Sequence, residues 1–216
     1  EAAEAMKRAA AGYCVLEVDR ETGKRNRRDE YLASLVCELT GAEAGIVVNN
    51  CAGSVMLVLS TFAREREAIV SRGELVEIGG SFRVPAVMER AGAKLVEAGT
   101  TNRTRLSDYS EKLTKNTGLL LKVHTSNYRV VGFTEEVSPT DLAALGGEHE
   151  VPTAYDLGSG LLESDGLKPL PLGDEPRVLD AVASGVDVVM FSGDKLFGGP
   201  QAGFMVGKKR AIDALR

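Results

Sequence analysis

Seven short apolar runs, none of them alternating, constrain what this chain can become. They are "GIVVN" (45–49), "AIVS" (68–71), "KLVEA" (94–98), "GLLLKVH" (118–124), "TAYDL" (153–157), "VDVVMF" (186–191) and "GFMVG" (203–207). A strand that alternates hides one face, whereas a strand apolar throughout is buried on both. That is the pattern of a mostly parallel sheet covered by helices on each side. Helical patterns fill the gaps, among them "DEYLASLVCELTG", "SVMLVLSTFA", "VPAVMERAG", "LSDYSEKLT", "TDLAALGG" and "RVLDAVASG". Gly41, Gly92 and Gly185 stand where helix C-caps belong. The expectation is an α/β fold, and 216 residues suit one large domain or two small ones.

Composition excludes several classes. A net charge of −5 and a pI near 5.3 argue against a chain that binds nucleic acid over its whole surface. No apolar run approaches the roughly 20 residues of a membrane span. The opening "EAAEAMKRAAAG" reads as a charged, alanine-rich helix rather than a signal peptide. The chain begins without Met and stops inside the helical pattern "KKRAIDALR", so a piece of a longer protein is expected. Cys14, Cys37 and Cys51 are odd in number and form no CxxC pair, which suits reduced thiols in the cytoplasm. "ESDGLKPLPLGDEP" (163–176) is expected to be a surface excursion.

In parallel sheets ligands bind at the carboxyl ends of strands, and here those ends are unusually polar. "NNCAGS" (49–54) is a small-residue turn opening a helix. It is either a plain strand-to-helix connection or a phosphate site built from free N–H groups and the helix dipole. Asp156 ends a buried strand and needs a partner to stay charged, either a protonated pyridine nitrogen or the start of a helix it would cap. Lys195, in "FSGDKLFGGPQAG", follows an apolar run and precedes two glycines and a proline. A snorkelling surface lysine is possible there, but the setting favours a Schiff-base lysine whose amine burial would free. Ser192 stands three residues earlier, placed to assist with a phosphate. His124 and His149 are the only histidines and lack metal-ligand spacing. Neither a GxSxG elbow nor a Walker A loop is present. Phosphate turn, aspartate and lysine together suggest a pyridoxal-phosphate site.

These residues resemble a known family. Their order is similar to that of fold-type-I, aspartate-aminotransferase-like pyridoxal-phosphate enzymes. The wording is closer still to bacterial selenocysteine synthases, the L-seryl-tRNA(Sec) selenium transferases. "CELTGAEAGIVVNNCAGSV", "GGSFRVP", "EAGTTNRT", "VHTSNYRVVGFTEEV", "YDLGSG" and "FSGDKLFGGPQAG" carry the resemblance over nearly the whole chain. The sugar-acid ammonia lyases share the scaffold.

The resemblance implies a seven-stranded large domain over residues 1–216 whose last strand is antiparallel. An N-terminal tRNA-binding domain and a C-terminal small domain would lie outside this chain. Lys195 would carry pyridoxal 5'-phosphate as a Schiff base, and Asp156 would pair with its ring nitrogen. Ala52, Gly53 and Ser54 would cup the phosphate with help from Ser192, and Asn127 would sit near the phenolic oxygen. Phe82, Ser81 or His124 would cover the ring. "ETGKRNRRDEY" (21–31) looks like the family's basic active-site loop, making Arg25 and Arg28 candidates for substrate binding. Read without the family, the same run is a solvated lead-in to a helix. The implied reaction takes seryl-tRNA(Sec) to selenocysteinyl-tRNA(Sec) with selenophosphate, by β-elimination to an aminoacrylyl-tRNA and selenium addition. The implied assembly is a cytoplasmic homo-oligomer of dimers. Rival readings are a small-molecule lyase or aminotransferase on this scaffold, and a cofactor-free binding protein.

Overall fold

The computed structural model describes residues 2–80, 82–162 and 175–216. Ser81 and most of the expected surface excursion lie outside the described residues. The elements run α1 (Ala2–Ala10), α2 (Glu30–Thr40), β1 (Ala44–Val48), α3 (Cys51–Phe62) and β2 (Glu67–Ser71). After a 3-10 turn, Arg72–Glu74, come the short pair β3 (Glu77–Ile78) and β4 (Phe82–Arg83), then α4 (Val84–Arg90) and β5 (Lys94–Ala98). The chain continues through α5 (Leu106–Ser110), β6 (Thr117–Val123), α6 (Pro139–Glu148), β7 (Thr153–Gly158), α7 (Val178–Ala183), β8 (Val188–Ser192), β9 (Gly203–Gly207) and α8 (Lys209–Ala214).

Seven strands form one sheet in the order β1-β9-β8-β7-β6-β2-β5. β9 runs antiparallel to both β1 and β8, while β5, β2, β6, β7 and β8 pair in parallel. The seven expected strands are all present, β5 and β9 with the expected bounds and the others with ends shifted by at most two residues. Successive residues serve opposite faces, as the continuous apolar runs required. Leu119 and Leu121 join a core with Val58 and Leu59 of α3, Met88 of α4 and Ile212 of α8. Leu120 faces the other way, to Leu142 and Leu145 of α6. Val189 and Phe191 likewise pack with Val36 of α2 and Val178 of α7.

Local chemistry sets the helix ends. The Asn50 side chain accepts from Gly53 N at 2.8 Å to start α3, and Ser138 accepts from Asp141 N at 3.0 Å to start α6 with Pro139 in its first turn. Gly41 closes α2 in the left-handed region, at φ 72°. Gly92 and Gly185 stand one residue past the caps of α4 and α7, also at positive φ.

Helix α3 presses its first turn against β9. A Cβ on Gly203 would lie 2.1 Å from Asn50 O and 2.4 Å from Ser54 Oγ, so no side chain fits. Gly203→Ala should therefore destabilise the domain by at least ~2 kcal/mol, because the obstacle is backbone. Gly147 is the contrast: it lies in α6, and a Cβ there meets nothing within 4 Å. Gly147→Ala should stabilise by about 0.5–1 kcal/mol through helix propensity. Denaturant melts of both variants check the pair.

Candidate active site

The strand-end residues converge around Asp156. Alternation along β7 turns Tyr155 and Leu157 into one core, while Asp156 points to the α3 side of the sheet. There Cys51, the first residue of α3, donates its thiol to Asp156 Oδ1 at 3.6 Å. Asp156 is only 8% exposed. Burial pushes its carboxyl up to about 6, against the opposing effects of the Cys51 thiol and the Lys195 charge. Burial and the Asp156 charge in turn raise the Cys51 thiol well above its ordinary range, so Cys51 is a neutral donor and not a reactive thiolate.

Beyond Asp156 the β7–β8 pairing shifts register, and Gly158 and Gly160 take φ of 76° and 74°. That path leaves room for the turn carrying Lys195. A Cβ on Gly158 would lie 3.7 Å from Lys195 Nζ, and one on Gly160 would meet Ser192 O at 2.7 Å. Leu196 N donates to Ser159 O at 2.9 Å, and Gly199 N to Gly193 O at 2.7 Å. Phe197 anchors the turn on Phe191 and Phe204, with centroids 5.5 and 4.8 Å apart. Lys195 is itself exposed, three residues past the end of β8, so burial is not what sets its amine apart. Its distinction is its position, facing Gly158 and within electrostatic reach of Asp156 and Cys51.

The remaining candidates divide. Ala52 and Gly53 are exposed at the α3 turn, whereas Ser54 is fully buried with its hydroxyl directed to Asn50 O at 3.5 Å. Gly53 N serves Asn50 and Ser54 N bonds Asn50 O. The N–H groups of Cys51 and Ala52 belong to the first turn, which an α-helix cannot satisfy internally. Ser192 is buried at the end of β8, within electrostatic influence of the Cys51 thiol. Asn127 donates to Glu77 O at 2.8 Å, tying its loop to β3. Half-buried Phe82 packs on the α3-side core, and the His124 imidazole lies 3.3 Å from Glu175 Oε2. Arg25 and Arg28 are exposed and pair with Glu17, and Arg25 bridges Val18 within the N-terminal segment.

A pyridine ring suits this arrangement. A buried carboxylate whose hydrogen-bond donor is one weak thiol is short of cationic partners, and a protonated ring nitrogen supplies one. The first turn of α3 offers N–H groups and a positive dipole end to a phosphate. Among the described residues, no group of His, Cys, Asp and Glu has the makings of a metal site.

One buried cluster went unread in the sequence. Lys122, in the run "GLLLKVH", points to the face opposite Asp156, where its amine donates to Glu74 Oε1 at 2.9 Å and Glu136 Oε2 at 3.3 Å. Glu74 also accepts from Val123 N at 2.9 Å. Burial alone would lower Lys122, yet the two carboxylates outweigh it and hold the amine above its ordinary value. The available signal was a lysine inside a strand buried on both sides, which has to be paired. The cluster borders a cavity of about 1100 Å³, along with Tyr155, His124 and Tyr128.

The strand order, with β9 reversed between β1 and β8, is that of the fold-type-I large domain of pyridoxal-phosphate enzymes. A D-glucosaminate-6-phosphate ammonia-lyase structure superposes with a TM-score of 0.75 at 22% identity, covering 98% of this chain and 54% of that one. An aspartate aminotransferase double mutant of Thermus thermophilus gives a TM-score of 0.65 at 20% identity, covering 99% and 55%. Sequence narrows the class. The chain matches the SelA family, L-seryl-tRNA selenium transferase, over residues 1–216, and it belongs to that family. It is 55% identical over 215 residues to the L-seryl-tRNA(Sec) selenium transferase of Maridesulfovibrio salexigens, covering 100% of this chain and 46% of that protein. The protein of that name from Methylocella silvestris is 57% identical over 214 residues, with 99% and 45% covered. The chain thus spans a little under half the length of the curated relatives it matches.

The raised carboxyl gives a pH test. Because Asp156 titrates near 6 when folded and its ordinary value is 3.8, the ionised form is worse off folded than unfolded. The penalty is absent below 3.8, grows as pH rises through about 6, and is complete above. Asp156→Asn should therefore stabilise the cofactor-free protein at neutral pH by on the order of 3 kcal/mol. The gain should fade as the pH approaches the ordinary carboxyl value. Thermal melts across that range check it.

Proposed function

We propose that this chain is the cofactor-binding large domain of an L-seryl-tRNA(Sec) selenium transferase, converting seryl-tRNA(Sec) to selenocysteinyl-tRNA(Sec) with selenophosphate. Pairing of a buried, under-partnered Asp156 with an exposed Lys195 across Gly158 carries the reading. Identity of 53–57% to proteins of that name supports the substrate assignment. The likeness to the ammonia-lyase is one of fold, at 22% identity.

Pyridoxal phosphate, when bound, supplies an electron sink for negative charge developing at the seryl Cα. Asp156 would hold the ring nitrogen protonated. The turn at Ala52 and Gly53, with Ser54 behind it and Ser192 alongside, would receive the phosphate. Asn127 would attend the phenolic oxygen and Phe82 or His124 the ring face, each after local rearrangement from its present partner. Lys195 Nζ would tether the cofactor, then take the Cα proton once the seryl amine replaces it. Departure of the seryl hydroxyl opens the β carbon to selenium.

Arg25 and Arg28 would meet anionic substrate, the tRNA's terminal phosphates or selenophosphate, after leaving Glu17. The partners proposed are therefore seryl-tRNA(Sec), selenophosphate and further copies of the same protein, arranged as dimers. Exposed Tyr31, Leu35 and Leu39 on α2, and an α1 without buried residues, support an oligomer. We place the protein in the cytoplasm, consistent with three free cysteines. Among the described residues, no helix is long and apolar enough to cross a membrane.

In the full-length protein, Lys195→Ala should abolish the visible absorbance that borohydride removes from the wild type. A borohydride-sensitive band surviving at another lysine would overturn the assignment. Arg25→Ala should reduce selenium transfer at least several-fold while leaving that spectrum unchanged. An equal loss of cofactor would instead make Arg25 part of the cofactor site.

A further inference from the structure

The thiol of Cys51 has no part in the chemistry above, yet it is the side-chain donor on the cofactor-facing carboxylate. Three elements meet at it. Cys51 opens α3, Asp156 lies two residues before the end of β7, and Ser192 ends β8. The thiol donates to Asp156 Oδ1 at 3.6 Å, and Ser192 is buried nearby. All three side chains lie in the region where Gly203 lets α3 press on the sheet. We propose that Cys51 is a positioning residue: its thiol, donating to Oδ1, fixes the rotation of the Asp156 carboxyl group.

The inference rests on the proposed cofactor role of Asp156, but the contact itself does not. One hydrogen bond to one oxygen is enough to stop a carboxyl group turning about its Cβ–Cγ bond. A thiol is a weak donor. It therefore favours the anion without competing strongly with a cationic nitrogen for the same charge. Alanine would remove the donor. Serine would shorten the side chain and draw the donor away from a partner already at 3.6 Å. Helix α3 also aligns its positive end with the carboxylate, so the thiol adds direction to an attraction the backbone already supplies.

The groups facing the Asp156 carboxyl are Cys51 from α3 and Lys195 from the turn after β8. On the β6 side, His124 gives only its backbone N–H, to Asp156 O at 2.8 Å, while its imidazole is engaged with Glu175. Loss of the thiol therefore leaves Lys195 alone to oppose burial.

Two measurements on the full-length protein test the contact. In the cofactor-free form, the infrared S–H stretching band of Cys51 is isolated as the difference between wild type and Cys51→Ala. Cys51→Val takes its place if the alanine variant does not fold. The band should shift as Asp156 gains its proton on lowering pH through about 6, and should stop responding in Asp156→Asn. The second measurement is the dissociation constant of pyridoxal phosphate against pH. Its acid limb reports ionisation of Asp156 and should move upward by about half a pH unit or more in Cys51→Ala. A band insensitive both to pH and to Asp156→Asn, or an unmoved acid limb in a correctly folded variant, would overturn the proposal. A full-length protein that takes up no pyridoxal phosphate would instead sink the cofactor reading, and the infrared band would then decide the thiol's role by itself.

Discussion

The absence of a side chain at position 203 governs how closely α3 can approach the sheet. With Gly203 against Asn50 O, the helix starts directly over the end of β9, and β9 lies between β1 and β8. The first turn of α3 then reaches across β8 to the Asp156 end of β7, which brings a helix N-terminus to a carboxylate 105 residues away in sequence. Lys195 arrives from the same direction, on a turn whose Phe197 packs against Phe204 of that reversed strand. Turn, aspartate and lysine are therefore registered to one another through β9.

Two buried carboxylates in this domain are treated in opposite ways. Glu74 is matched by the Lys122 ammonium and the Val123 N–H, and its removal would leave that buried cation only the exposed Glu136 as a carboxylate partner. Asp156 has a thiol and a lysine held off across a glycine. Both are pushed upward by burial, and only the first is fully partnered within the fold. The first arrangement ties the 72–74 turn to β6. The second leaves binding free energy available to an incoming cationic group.

Much of this was legible in the sequence because it depends on local contrast. Asp156 and Lys195 stand out as polar residues bordering apolar runs, and strands buried on both sides leave an unbroken apolar signature. What escaped depends on partners far apart. Lys122 passed unremarked inside an apolar run because its partners Glu74 and Glu136 come from other segments. The pair β3–β4 is two residues per strand, too short for periodicity. The helical pattern through residue 114 stops at Ser110 because Lys112 N and Leu113 N turn to Tyr109 O and Ser110 O, and the Thr114 hydroxyl goes to Glu67. Burial was the reason the sequence offered for singling out Lys195, and the structure replaces it: the residue is exposed, and its neighbours set it apart.

The alternation of β7 also makes the domain check its own assembly. Shifting this strand by one residue against β6 and β8 would exchange its two faces. Tyr155 would enter the space beneath α3, and Asp156 would be driven into the apolar layer formed by Phe191, Val178 and Val36. Lys122, whose amine lies 6.0 Å from the Tyr155 ring centroid on that face, is already engaged by Glu74 and Glu136. A mispaired sheet would thus withdraw the carboxylate from beneath α3 and bury a charge short of partners in the same step. Correct pairing and the placement of Asp156 under α3 are selected together, and a kinetically trapped, slipped form has little stability with which to persist.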